Sequence, residues 1–98
     1  MSDLGIAVLK LGGLATGIVD IYIWVVIITA LLSFVNPDPY NPVVQFLYRI
    51  TNPAYTFVRR LIKTDFGGLD LAPLVIVISL QVIEIIFSLF ISTIAKAL

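Results

Sequence analysis

Two long apolar stretches dominate the pattern of this chain. From Leu11 to Val35 the only charged residue in twenty-five is Asp20, and from Leu71 to Ala95 the only charged residue in twenty-five is Glu84. A helix rises about 1.5 Å per residue, so about 20 apolar residues cross a hydrocarbon core about 30 Å thick. The two stretches therefore predict transmembrane helices over 11–35 and 71–95. A signal peptide would have a shorter apolar region behind a basic start and end at small residues, whereas the first stretch is long and runs into Asn36-Pro37. A core helix as apolar as the second would need a large soluble shell, and only 35 residues lie between the stretches.

The intervening segment has its own periodicity. Asn36-Pro37-Asp38-Pro39-Tyr40-Asn41-Pro42 cannot be helical throughout, because each proline removes a donor and biases its predecessor out of the α region. Asn41 followed by Pro42 reads as an N-cap and first helical position. Apolar residues then recur at Val43, Phe46, Leu47, Ile50, Ala54, Phe57, Val58, Leu61 and Ile62, the spacing of one helical face, with Arg49, Arg59, Arg60 and Lys63 on the other. This predicts an amphipathic helical linker over 41–63. The segment Asn41 to Arg49 is echoed by Asn52 to Arg60 at an offset of eleven residues, close to three turns, so the two apolar stripes align. Two short helices and one helix kinked at Pro53 both fit, and the stripe can face either acyl chains or the spans. Gly67-Gly68 is expected to form a flexible turn, and Asp70 to cap the second span ahead of Pro73. The fold class that follows is an all-α membrane protein: a two-helix transmembrane hairpin with an interfacial amphipathic linker, forming one unit over 1–98.

Composition narrows the chemistry. The chain is 60% hydrophobic and only 12% charged, too little polar surface for a protein in water. It has no cysteine and no histidine, which removes disulfides, thiolate and imidazole metal sites and histidine acid–base catalysis. No cofactor and no enzymatic activity are expected. Six basic and six acidic residues cancel, so no global field attracts nucleic acid. Local placement matters more: the linker carries four basic residues and the tails two, Lys10 and Lys96. By the positive-inside rule the linker is expected on the cytoplasmic side and both termini outside. Arg49, Arg59, Arg60 and Lys63 are expected at the level of the lipid phosphates.

These features together resemble the YggT family of small bacterial membrane proteins, whose relatives extend to chloroplasts. The resemblance rests on the run from Asn36 to Pro42, on Phe46-Leu47, Pro53 and the Arg59-Arg60 pair, and on Gly67-Gly68-Leu69-Asp70-Leu71-Ala72-Pro73. The chain looks like a member with one pair of spans. It departs from the family pattern in having Phe57-Val58 and Lys63-Thr64 where prolines usually flank the arginine pair. The resemblance implies a bacterial inner-membrane protein and brings no catalytic residues with it.

Glu84 is the residue that most requires explanation, since a charge near the middle of a span costs at least about 2.5–3.5 kcal/mol. Gln81, Glu84, Ser88 and Ser92 fall within an arc of about 120° at 100° per residue, a polar stripe on an apolar cylinder. Asp20 lies sixteen residues before Asn36 and Glu84 fourteen after Asp70, so a hairpin puts the two carboxyls within about 3 Å in depth. Sharing a proton, binding a cation and simple helix-to-helix hydrogen bonding are all open to such a pair. Hydrogen bonding is favoured, because a two-helix hairpin encloses no pathway. Gly13 and Gly17, four residues apart beside Thr16 and Asp20, form a small-residue face that admits another helix closely. Of Tyr22, Trp24 and Tyr40, only Tyr40 is well placed as an interfacial anchor. The expected partners are membrane lipid and other integral membrane proteins or further copies of the chain. The functional expectation is an accessory protein, with an oligomeric ion-conducting element built on Asp20 and Glu84 as the alternative.

Overall fold

The computed structural model describes residues 2–67 and 69–98. Among them, helix α1 spans Asp3–Phe34, helix α2 Pro42–Leu61 and helix α3 Ala72–Ala97. A hairpin of two short strands, β1 (Asp65–Phe66) and β2 (Leu69–Asp70), joins α2 to α3. The all-α architecture with two long apolar helices and a shorter connecting helix is as the sequence predicts, with corrections at the boundaries.

The largest of these is at the start of α1, which begins at Asp3 rather than Leu11. The Ser2 hydroxyl accepts the Gly5 amide at 3.2 Å, and Asp3 sits in the first turn, where a negative charge is favourable. Lys10 does not break the helix, because its aliphatic stem can lie along apolar surface while the ammonium reaches water. The resulting 32 residues measure about 48 Å, so α1 outruns a hydrocarbon core of about 30 Å. At its other end the Val35 amide bonds the Leu32 carbonyl at 3.1 Å, and Asn36 turns left-handed with φ 47°. Asparagine is one of the few side chains that tolerates this helix-terminating conformation.

Asn41 caps α2 as expected, its side chain accepting the Val43 amide at 2.9 Å. The linker is one helix that continues through Pro53. Proline there leaves the Arg49 carbonyl without its helical donor. One residue on, the Ile50 carbonyl receives a bond from the Tyr22 hydroxyl of α1 at 2.9 Å. The apolar stripe of α2 is divided between two environments. Val44, Thr51 and Tyr55 are buried against the spans with Leu47, Ala54 and Val58 half-buried beside them, while Val43, Phe46, Phe57 and Leu61 remain exposed. The stripe therefore packs on the spans along one arc and stays exposed along the next.

Helices α1 and α3 run antiparallel. Gly12 meets Ile91 near the termini, while Val26, Tyr55, Ala72 and Ile76 form the buried cluster on the linker side, flanked by Tyr22, Ala54, Val58, Val77 and Leu80. The half of the α1–α3 pair near the linker is thus covered by α2, and the half near the termini is not. Much of the remaining surface is apolar, with Leu14, Ile18, Ile21, Ile85, Ile86, Leu89 and Phe90 all exposed. Such a surface suits lipid as its solvent.

The expected flexible turn after α2 is instead part of the hairpin, with Asp65 paired to Asp70 and Phe66 to Leu69. Gly67 adopts φ 59°, the left-handed region open to glycine, and Gly68 lies outside the described residues. The Leu71 amide closes the hairpin by bonding the Thr64 carbonyl at 2.8 Å.

Candidate functional site

Two polar assemblies stand out, one between the spans and one where α2 meets α3. The first is a groove of about 370 Å³ on the uncovered half of the α1–α3 pair. Its walls include Gly12, Gly13, Thr16, Gly17 and Asp20 from α1, with Ser88 and Ser92 from α3. Of the seven residues assigned to helix packing from sequence, five line this groove. Glu84, one turn from Ser88, does not line it, but its carboxyl faces that of Asp20, which does. Gln81, one turn further toward the linker, is exposed and does not line it.

The glycines divide the work between them. A methyl added to Gly12 would lie 2.8 Å from Cγ2 of Ile91, so Gly12 is where α1 and α3 come closest. Nothing lies within 4 Å of a methyl added to Gly13 or Gly17. Those two glycines are therefore the open floor of the groove and play no part in packing α1 on α3. Gly12 has no sequence signal of its own, because the pairing of Gly13 with Gly17 at four residues draws attention away from it.

Polar atoms in the groove are incompletely satisfied. Glu84 Oε1 is buried without a hydrogen-bond partner. Thr16 gives its proton to the Gly12 carbonyl at 3.0 Å, but the Ser88 and Ser92 hydroxyls make no hydrogen bond among the described residues. An unsatisfied polar atom in hydrocarbon costs several kcal/mol.

The second assembly centres on Asp70. Its carboxylate pairs with Arg59 and accepts the Thr64 hydroxyl at 2.9 Å and the Ala72 amide at 3.0 Å. Asp70 therefore satisfies an orphan amide of α3 as predicted, although the backbone cap is Leu71. Burial pushes the Asp70 carboxyl up, but the Arg59 guanidinium, the Ala72 amide and the Thr64 hydroxyl together outweigh it and hold the group below its usual range. Arg59 also lies 5.5 Å from the centre of the Tyr55 ring. Arg59, expected at the level of the lipid phosphates, takes a carboxylate eleven residues downstream as its ion-pair partner. Arg49, Arg60 and Lys63 form no ion pair among the described residues. The Tyr55 hydroxyl is buried without a hydrogen-bond partner among the described residues. Burial pushes this phenol up. No cluster of metal-ligating side chains occurs among the described residues.

Comparison with known proteins places this architecture. The chain is 42% identical over 62 residues to the uncharacterized protein PA0392 of Pseudomonas aeruginosa, a match covering 63% of this chain and 31% of that one. It is 34% identical over 74 residues to an uncharacterized protein of the proC 3' region of Vibrio alginolyticus, covering 76% of this chain and 40% of that one. In these matches the chain spans about a third to two-fifths of the length of the curated relatives. No solved structure matches it. The family model described as CCB3/YggT matches residues 8–91, which takes in most of both spans, the whole of α2 and the hairpin, and the chain belongs to that family.

Proposed function

We propose that the protein is a non-enzymatic accessory component of the bacterial inner membrane that binds other integral membrane proteins through the groove between α1 and α3. The observation that carries this reading is an open groove floored by Gly13 and Gly17 and bordered by Asp20, Ser88 and Ser92, with the buried, unpartnered Glu84 Oε1 one turn beyond Ser88. Glycines let a foreign helix approach closely, and a donor on that helix would satisfy the carboxyl and the two serines. The linker lies on the cytoplasmic side and the termini outside, from the excess of arginine and lysine in the linker.

A second reading has the support of one contact, the approach of the Asp20 and Glu84 carboxyls. Two carboxyls at one depth can share a proton or hold a cation, and copies of the chain assembled around them would form an ion-conducting element. Substitution of Glu84 separates the two readings. Glutamine keeps the size and hydrogen-bonding capacity of a protonated glutamate but cannot ionise. If the groove binds a partner helix, Glu84→Gln retains association, and Glu84→Leu loses about 0.6–2 kcal/mol of it. Equal loss of function in both variants, with association intact, would replace the accessory reading with the ionic one.

A further inference from the structure

We infer that α2 carries a binding site for a single anionic glycerophospholipid, with its phosphate between Arg49 and Arg60 and an acyl chain between α2 and α3. The two arginines are eleven residues apart, three turns along one face, because each closes one copy of the repeated segment that begins at Asn41 and Asn52. Both line the same shallow depression, together with Asn52, Pro53, Thr56 and Phe57. Neither forms an ion pair among the described residues.

The other donors of the depression are equally free. Thr56 is the one threonine whose hydroxyl makes no hydrogen bond among the described residues. Thr16, Thr29, Thr51 and Thr93 bond carbonyls one turn earlier, and Thr64 bonds Asp70. The Asn52 amide also has no such bond. Two guanidinia, a hydroxyl and an amide on one face are the donor set that a phosphodiester accepts.

An apolar groove of about 410 Å³ adjoins this depression, running between α2 and α3 beside Val58, Leu61, Leu80 and Ile83. Phe57 lines both, so the polar and apolar halves of the site meet at one ring. A free phosphate would use only the first half, whereas a phospholipid uses both. The charge of the first half selects an anionic headgroup.

A nearby cation makes the test sharp, since Lys63 carries the same charge as Arg60 and only Arg60 lines the site. Full-length protein in a neutral detergent is titrated with phosphatidylglycerol, and the retained lipid is counted by native mass spectrometry. Phosphatidylethanolamine and glycerol phosphate serve as the zwitterionic and tail-less probes. Arg49→Gln and Arg60→Gln should each weaken phosphatidylglycerol retention about five-fold, the change that corresponds to about 1 kcal/mol per cation. Lys63→Gln should leave retention unchanged, and glycerol phosphate should not displace the lipid. Arg49, Arg60 and Lys63 are exposed and form no ion pair among the described residues, so none of the three variants threatens the fold. Equal weakening by Lys63→Gln and Arg60→Gln would reduce the site to diffuse surface charge and overturn the inference. So would retention of phosphatidylethanolamine as strong as that of phosphatidylglycerol, or displacement by glycerol phosphate.

Discussion

Gly12 and Ile91 set the distance between the two spans: a methyl group on Gly12 would sit 2.8 Å from Cγ2 of Ile91. Gly12→Ala must therefore displace α3 or force Ile91 off its rotamer, at a cost of about 1–3 kcal/mol. Ile91→Ala should rescue it by making room. Gly13→Ala and Gly17→Ala should leave the isolated protein as stable as the parent or slightly more so, since alanine is the better helix former. Thermal unfolding of the purified variants in detergent measures all four.

Asp70 links α2, the hairpin and α3, and its effect on stability should depend on pH. Its folded carboxyl titrates below its usual range. The stabilisation is therefore complete above the unfolded value of about 3.9 and is lost as the pH falls through the lower folded value. The difference in stability between the parent and Asp70→Asn should be present at neutral pH and shrink in acid below about pH 4. Asp70→Ala, which also removes the acceptor for the Ala72 amide, should cost about 1 kcal/mol more than Asp70→Asn at neutral pH. Unfolding midpoints across the pH range check both statements.

Two tyrosines on the α1–α2 interface should respond in opposite ways to loss of their hydroxyls. Tyr22 donates to the Ile50 carbonyl, so Tyr22→Phe should cost about 0.5–1.5 kcal/mol. The Tyr55 hydroxyl is buried and unpartnered, so Tyr55→Phe should be neutral or stabilising. Stability measurements in detergent on the two single variants provide the comparison.

Much of this arrangement was legible in the sequence, and the omissions share a cause. The spans, the Asn41 cap and the meeting of Asp20 with Glu84 follow from counting along the chain, because depth in a membrane is proportional to residue number. Rotation about a helix axis is harder to read, since lipid and protein are equally apolar neighbours and hydropathy does not tell the face of Gly12 from that of Gly13. One residue turns a helix by about 100°, which separates Gly12 in the interface from Gly13 in the groove, and Arg59 on Asp70 from Arg60 at the depression it shares with Arg49. The early start of α1 was signalled by Ser2-Asp3 but masked by Lys10. The short hairpin at 65–70 is held by Thr64 and Asp70 contacts that no local pattern encodes.

Orientation can be read with single cysteines. Asp65 is exposed on the hairpin, and Ser2 and Ala97 are exposed at the two ends. An impermeant thiol reagent applied outside intact cells should label cysteines at Ser2 and Ala97 and spare one at Asp65. The reverse pattern would place the linker outside.

The central claim, that the groove between α1 and α3 receives another membrane protein, is tested most directly by photo-crosslinking in native membranes. A photoreactive residue at Ser88 points into the groove, and one at Ile86, about 160° away around α3, faces the opposite, exposed side. Ser88 should give a discrete protein adduct that Gly17→Leu abolishes, while Ile86 should give lipid adducts alone. Lipid adducts alone at Ser88, from protein that is inserted and folded, would contradict the account.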